Sequence, residues 1–486
     1  MRTRRGPRAG KRVIEFDIDS IAAGGDGVGR DDSGLVVFVP LTAPGDRVRA
    51  EIIQAKARWA RGRLQALLVA APERCPAPCP VFGQCGGCRL QHLPEAVQAG
   101  AKRDVVAAAL ARIGGFDVEV PPLVSAGEPF GYRNRVTLTV QSGGVVAGFH
   151  ALHAPAEIVD APNCLLAEAP IQAAWEALAP WWHELPRGPQ GVEVRVTIRA
   201  STTGAIALLV EGGSRPGDPE AVARRLPSLA SFLWIDEQGE RRLLAGEATF
   251  TDEWQGTRFD LDPTVFLQVN RAVSGAMDAW IDDRLALLRL DGAVASPRSP
   301  RVADLYAGVA ARAIRWARAG LDVATCEIVP EACDATRRAL AAVGADAADA
   351  IDAPDAPDAS DASDATDATD APDAPDAPDA PDATNAANAD VTLDIREGAV
   401  EEHADLFDRD LVIVNPPRAG LSPEVREALI AGSARAVAYV SCDPATLARD
   451  LEAVASAYRL EAVQPFDAFP QTAHVETVAW LVRRDA

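Results

Sequence analysis

The chain has 486 residues, enough for two to four domains, and carries a formal net charge of −22. Fourteen Asp and no Lys or Arg lie in residues 346–390, and without that stretch the net charge is an ordinary −8, so the total does not exclude a nucleic-acid partner. No apolar run reaches the roughly 18 residues of a membrane helix, and the unevenly clustered cysteines do not look like a disulfide framework, which points to the cytoplasm.

Residues 1–10 form a basic arm with Arg2, Arg4, Arg5 and Arg8, and Lys11 and Arg12 follow. No apolar stretch stands behind these cations, so they do not read as a secretory signal; a frayed tail and a nucleic-acid contact both suit them. Residues 11–70 read as short strands and turns. Val13 to Ile18 alternates, Gly24 to Gly29 is a turn cluster, Leu35 to Val39 is a strand and Pro44-Gly45-Asp46 is a turn. That pitch predicts a small OB-like barrel. Lys56, Arg58, Trp59, Arg61 and Arg63 supply either an RNA-facing mix of cations and aromatic or a solvated edge strand.

Residues 71–260 read as an α+β central domain. Cys79, Cys85 and Cys88 form a tight cluster, and Cys164 lies far downstream. Four thiols suit an iron–sulfur cluster or a structural zinc, and spacing does not separate the two. Cys75 falls outside the pattern. Glu95 to Ile113 has helical periodicity and stops at Gly114-Gly115. Val136 to Val140, Val192 to Ile198 and Ala205 to Val210 read as strands.

Residues 261–486 alternate strand and helix. Strands are expected at 301–305, 322–328, 411–414, 436–440 and 478–482, with helices at 309–318 and 330–343, giving a doubly wound parallel sheet of Rossmann-like type. Such a sheet binds a nucleotide-like ligand at its strand ends, and Glu327 is placed there to accept hydrogen bonds from ribose hydroxyls. Residues 346–390 interrupt the domain. Asp recurs every third residue from 346 to 382, a period that fits neither helix nor strand, so a disordered loop is expected.

Cys442 follows the apolar run 436–440 and precedes Asp443-Pro444 and a helical pattern. A thiol at a strand end and a helix N-terminus is a nucleophile's address, although an isolated cysteine is also a common buried hydrophobe. Glu476 opens the last strand and could supply a base.

Several stretches together resemble the RNA uracil-5-methyltransferases. Ser441-Cys442-Asp443-Pro444-Ala445-Thr446-Leu447-Ala448-Arg449-Asp450 is similar to that family's nucleophile motif S-C-N-P-A-T-L-A-R-D, and Phe469 to Glu476 is similar to its general-base motif. Residues 11–70 resemble the TRAM domain. Cys85-Gly86-Gly87-Cys88 and the segment ending at Cys164 resemble members that carry a [4Fe–4S] cluster. Tyr132-Arg133-Asn134-Arg135 resembles the family's Y-R-N-K/R stretch, for which a structural role is expected.

The resemblance implies S-adenosylmethionine-dependent methylation of uridine C5, through Cys442 as nucleophile and Glu476 as base. It assigns Gln268 (in Phe266-Leu267-Gln268-Val269-Asn270), Tyr306, Gly308 and Asn415 to the cofactor, and Cys79, Cys85, Cys88 and Cys164 to the cluster. Phe266 then either sandwiches the target base or belongs to the core, and Arg418 either holds a phosphate or orients its loop. The implied partner is RNA, ribosomal first and transfer RNA second, with no DNA, no membrane and a monomeric state. The rival is a degenerate paralogue that binds RNA and methylates poorly or not at all.

Four stretches depart from the family pattern. Ala310 and Ala311 replace the usual residues of the glycine-bearing turn, Asn415 replaces the acid of D-P-P-R, Ala399 stands where a polar residue commonly faces adenine, and Asp443 replaces an asparagine. Ala310 is expected to set a methyl against the ligand.

Overall fold

A computed structural model of the protein describes residues 12–141, 146–189, 192–290, 300–351 and 391–484. The basic arm at 1–10 lies outside them. Strands β1 (Val13–Ile21), β2 (Gly27–Arg30), β3 (Val36–Val39), β4 (Arg47–Ala55) and β5 (Trp59–Val69) close a barrel in the order β1-β2-β3-β5-β4. Alternation turns Phe16, Ile18, Val37, Val39, Val48 and Ala50 inward. The expected Gly24–Gly29 turn is shorter than its composition suggested, because Gly27 and Gly29 lie in β2. A Cβ on Gly29 would meet the Asp17 carbonyl at 2.1 Å, so glycine there permits close strand crossing. β5 pairs with both β3 and β4 and is not an edge, and exposed Arg61 and Arg63 alternate with buried Ala60 and Gly62.

Buried Asp46 ties the barrel to the chain that leaves it. Its carboxylate accepts the Ala43 and Ala71 amides at 2.6 and 2.9 Å and both Nε and Nη2 of Arg74.

The next helix, α1 (Glu95–Arg112), precedes a seven-stranded sheet of order β12-β11-β10-β9-β6-β7-β8. Its members are β6 (Arg135–Gln141), β7 (Ala147–His150), β8 (Ile158–Asp160), β9 (Glu193–Ala200), β10 (Ile206–Glu211), β11 (Leu229–Ile235) and β12 (Arg241–Gly246), with α2 (Ala169–Leu178) and α3 (Pro219–Arg225) between them. Trp175, Trp182 and Trp234 fill its core. Helix α1 does not pack there: Val106 and Leu110 join the core of the C-terminal sheet beside Leu447 and Leu451.

The C-terminal part begins with a hairpin, β13 (Phe250–Trp254) and β14 (Thr257–Leu261), and α4 (Arg271–Leu290). Then follow β15 (Arg301–Leu305), α5 (Ala311–Arg318), β16 (Asp322–Glu327), α6 (Pro330–Ile351), β17 (Asp394–Glu397), β18 (Leu411–Val414), α7 (Pro423–Ala431), β19 (Ala436–Ser441), α8 (Pro444–Val454), β20 (Tyr458–Phe466) and β21 (Glu476–Arg483). The order is β17-β16-β15-β18-β19-β21-β20.

Two expectations need correction. The sheet is not wholly parallel: β21 runs against both neighbours, because the loop between β20 and β21 carries no crossover helix and so reverses the chain. The Asp-rich stretch is also not loop from its first residue, since α6 continues to Ile351; residues 352–390 lie outside the described residues. Among the described residues no helix is long and apolar enough to cross a membrane.

Burial opposes the Asp46 charge, but Arg74 and the two amides outweigh it and hold the carboxyl below its ordinary range. That stabilisation is present above the ordinary carboxylate pKa and is lost as pH falls through the lower folded value. Asp46→Asn is expected to cost about 2–4 kcal/mol near neutrality, with the gap to the parent closing in acid; denaturant melts across pH measure it.

Candidate active site

The antiparallel pairing of β19 with β21 sets Ser441 opposite Thr477. Cys442 leaves the end of β19 and Glu476 opens β21, so both come to the same edge of the sheet. Both line one cavity of about 500 Å³, together with Phe266, Gln268, Tyr306, Gly308, Glu327 and Asn415. Every residue singled out for nucleophile, base and cofactor therefore faces one space. Phe266 is 57% exposed at its mouth and is not core.

Cys442 sits at the start of α8. Asp443 caps that helix through a 2.8 Å bond from the Thr446 amide, so the replacement of asparagine keeps the cap. Glu476 is 4% exposed. Burial pushes its pKa up to about 8, against the lowering influence of Arg418. Burial, and then the Glu476 charge, raise the Cys442 thiol, and Arg418 again opposes the shift. Arg418 also approaches His474 Nε2 at 3.5 Å. Partial burial and the Arg418 and Arg133 charges bring His474 down to about 4.

Buried Asp450 pins the Arg418 loop. It accepts the Leu421 amide at 2.9 Å and the Tyr439 hydroxyl at 2.8 Å, and Thr446 Oγ1 donates to the Arg418 carbonyl at 3.2 Å. The sequence alone gives Asp450 no role and offers two for Arg418. The signal was present, since an acid on the buried face of a helical pattern requires partners.

The cofactor side is built on the turn after β15. Glu327 accepts the Gly308 amide at 2.8 Å through one carboxylate oxygen and the Val329 amide at 3.0 Å through the other. Exposed Ile328 and Val329 offer an apolar face beside it. A recess of about 90 Å³ continues the cavity past Gln268, Tyr306 and Asn415 toward Asp304 and Arg312. Arg312 bridges Asp278 and Asp304 at 2.8 and 3.1 Å.

A separate cavity of about 190 Å³ is lined by Cys79, Cys85, Cys88 and Cys164, with Arg133 and Phe149. Burial raises three of these thiols, Cys88 to about 12. Among the described residues no three His, Cys, Asp or Glu side chains converge to hold a single metal ion. Cys75 stays apart, against the Gln91 carbonyl at 3.5 Å.

Comparison with known proteins agrees with this layout. Residues 11–65 match the TRAM domain model, and residues 399–484 match the model described as tRNA (Uracil-5-)-methyltransferase. An uncharacterized RNA methyltransferase of Thermosynechococcus vestitus is 30% identical over 494 residues, covering 96% of this chain and 98% of its own. The chain belongs to the RNA uracil-5-methyltransferase family. A second uncharacterized RNA methyltransferase, from Gloeobacter violaceus, is 29% identical and covers 97% of each chain. In fold, the crystal structure of Pyrococcus abyssi tRNA (uracil-54, C5)-methyltransferase in complex with S-adenosyl-L-homocysteine is similar, with a TM-score of 0.69 at 22% identity, over 96% of this chain and 100% of that one.

Within this RNA uracil-5-methyltransferase the departures take on physical meaning. Ala310 is 2% exposed and packs with Val302 and Ala313 in the core, lining neither cavity, so the expected clash of its methyl with a ligand is absent. Its cost is conformational: φ is +52°, in the left-handed region. Tyr306, at φ +58°, is held there too. Ala399 does line the cavity.

Ala310→Gly is expected to stabilise the protein by about 1 kcal/mol, read from denaturant unfolding. Glu476→Gln is expected to matter in alkali. A buried acid with a raised pKa is tolerated below its unfolded pKa and loses stability as pH rises through the folded value. The glutamine variant should therefore gain on the parent in thermal melts as pH climbs from 6 toward about 8.

Proposed function

We propose that this protein methylates uridine C5 in RNA with S-adenosylmethionine, and that ribosomal RNA is the substrate. The observation that carries the reading is the shared cavity of Cys442 and Glu476, with Glu327 and Gln268 on its other side. Its volume falls in the range of small-molecule sites. The ligand's fit rests on Glu327, oriented by two amides for ribose hydroxyls, and on the exposed Ile328 and Val329 face for adenine. Gln268, Tyr306, Gly308 and Asn415 would hold the remaining end. S-adenosylmethionine supplies the electrophilic methyl group.

The chain's own residues do the rest. The Cys442 thiolate adds to C6 of the flipped uracil, which places an enolate across the ring and makes C5 nucleophilic. Arg418 favours the thiolate. Once C5 carries the methyl group, Glu476 takes the C5 proton, the C5–C6 double bond re-forms and the Cys442–C6 bond breaks. A pKa near 8 suits a base that must collect a carbon-bound proton near neutrality. Phe266, exposed at the cavity mouth, would stack on the extruded base, and the exposed Arg61 and Arg63 of the barrel would hold the backbone.

The four-thiol cavity is read as the seat of a [4Fe–4S] cluster. The thiols surround a space instead of converging on one point, and the buried Arg133 Nε has no partner among the described residues. Cys79, Cys85, Cys88 and Cys164 would be the ligands. Equimolar iron and sulfide after anaerobic purification are expected; zinc without iron overturns this part.

RNA carrying 5-fluorouridine should trap a covalent adduct on a denaturing gel, and Cys442→Ala should abolish it. Persistence of the adduct in that variant removes Cys442 from its role. Unmodified 23S ribosomal and transfer RNA, offered side by side, assign the substrate. No heat on titration with millimolar S-adenosylmethionine supports an RNA-binding paralogue instead.

A further inference from the structure

Glu476 is delivered by a nine-residue strap between β20 (ending at Phe466) and β21 (opening at Glu476). Its apolar residues Ala468 and Val475 pack into the C-terminal cores, and Arg418 approaches His474, but most of the hydrogen bonds that reach the strap from outside come from the central part of the chain. Directly after Cys88, the amides of Arg89 and Leu90 both donate to the Gln471 carbonyl at 3.1 Å. On α1, Gln98 and Gln471 bond reciprocally: Gln98 Nε2 donates to Gln471 Oε1 at 3.0 Å, and the Gln471 amide donates to Gln98 Oε1 at 3.1 Å. Lys102 Nζ reaches Asp467 at 2.6 Å and the Phe469 carbonyl at 3.0 Å. The Tyr132 hydroxyl donates to the Pro470 carbonyl at 3.0 Å.

The barrel touches the strap as well. A Cβ on Gly25, which has φ +79°, would meet Arg89 Cβ at 2.8 Å and Ala473 Cβ at 3.0 Å. The β1–β2 turn is thus seated on the strap and on the residue after the thiol cluster. Within the strap, Gln471 adopts φ +69°, a conformation that a free loop would not favour for this residue. Arg133 joins the two sites, lining the thiol cavity while its guanidinium lies 5.8 Å from the Phe469 ring centroid.

We propose that the loop leaving the four-thiol cavity, with α1 behind it, positions the catalytic base, and that Gln98 is the principal positioning residue of Glu476. Nucleophile and base then stand on different supports. Cys442 is held by β19 and α8, whereas Glu476, at the head of β21, is held in addition by a strap clamped by the central part of the chain. Loosening the clamp should impair proton removal and leave addition of the thiolate intact. This inference rests on the reading of Cys442 as nucleophile and Glu476 as base.

The test separates the two half-reactions. Full-length wild type, Gln98→Ala and Gln98→Met are incubated with uridine-containing substrate RNA and S-adenosylmethionine. The methionine variant keeps the volume without the hydrogen bonds and keeps the test open should the alanine variant fail to fold. Both variants are expected to form the protein–RNA adduct at the wild-type rate and to release product roughly 10–100-fold more slowly. Methylated adduct should accumulate on a denaturing gel, with kcat and KM for RNA lowered together and kcat/KM unchanged. Release at the wild-type rate overturns the clamp, and so does a parallel fall in both steps, which marks general damage. A wild-type protein that forms no adduct on 5-fluorouridine RNA overturns the functional reading itself, independently of the clamp.

Discussion

One register holds the site together. Because β21 runs against β19 with Thr477 opposite Ser441, a thiol at the end of one strand and a carboxyl at the start of another share a sheet edge. A slip of one residue would turn Glu476 toward the opposite face. The register is secured from both sides: Val437, Tyr439, Ala479 and Leu481 enter one core layer, and Ala436, Ala438, Val440, Val478 and Trp480 enter the other. The chemistry inherits its geometry from this packing.

The same burial sets the electrostatics. An acid with almost no water around it favours its neutral form, and a neighbouring thiol is raised by burial and by any charge the acid carries. Arg418 is the counterweight to both. It stays in place because Asp450, itself buried, bonds to the loop after Arg418, to a strand residue and to the adjacent Arg449. A residue that lines neither the cavity nor its recess thereby helps to decide how readily a proton leaves the site.

The three parts of the chain are not independent modules on a string. Helix α1 belongs to the central stretch by position and to the C-terminal core by packing, through Val106 and Leu110. The barrel's glycine turn rests on Arg89 and Ala473, and Asp26 in the same turn accepts from Arg89 at 3.4 Å. The barrel, the loop that carries three thiols and the strap that leads to Glu476 therefore meet at one junction.

Much of this was legible in the residues themselves. Period-two alternation marked the barrel, near-continuous apolar runs marked β15, β18 and β19, and the thiol spacing marked the four-Cys cavity. The strand-end position of Cys442 and the acid opening the last apolar run singled out the pair that the cavity brings together. Sequence missed β20, whose Pro465 and polar Glu461 and Gln464 hide an edge strand, and with it the reversal of β21. It also set the Ala310 methyl against the ligand, whereas tertiary packing turns it into the core at the expense of a left-handed backbone. Local pattern determines which residues are apolar, nucleophilic or acidic, because those properties belong to side chains. Strand direction, the grip of Gln98 on Gln471 and the influence of Arg418 on thiol and carboxyl were decided only by the tertiary structure, since each depends on groups far apart in the chain that are brought within a few ångströms by a common core.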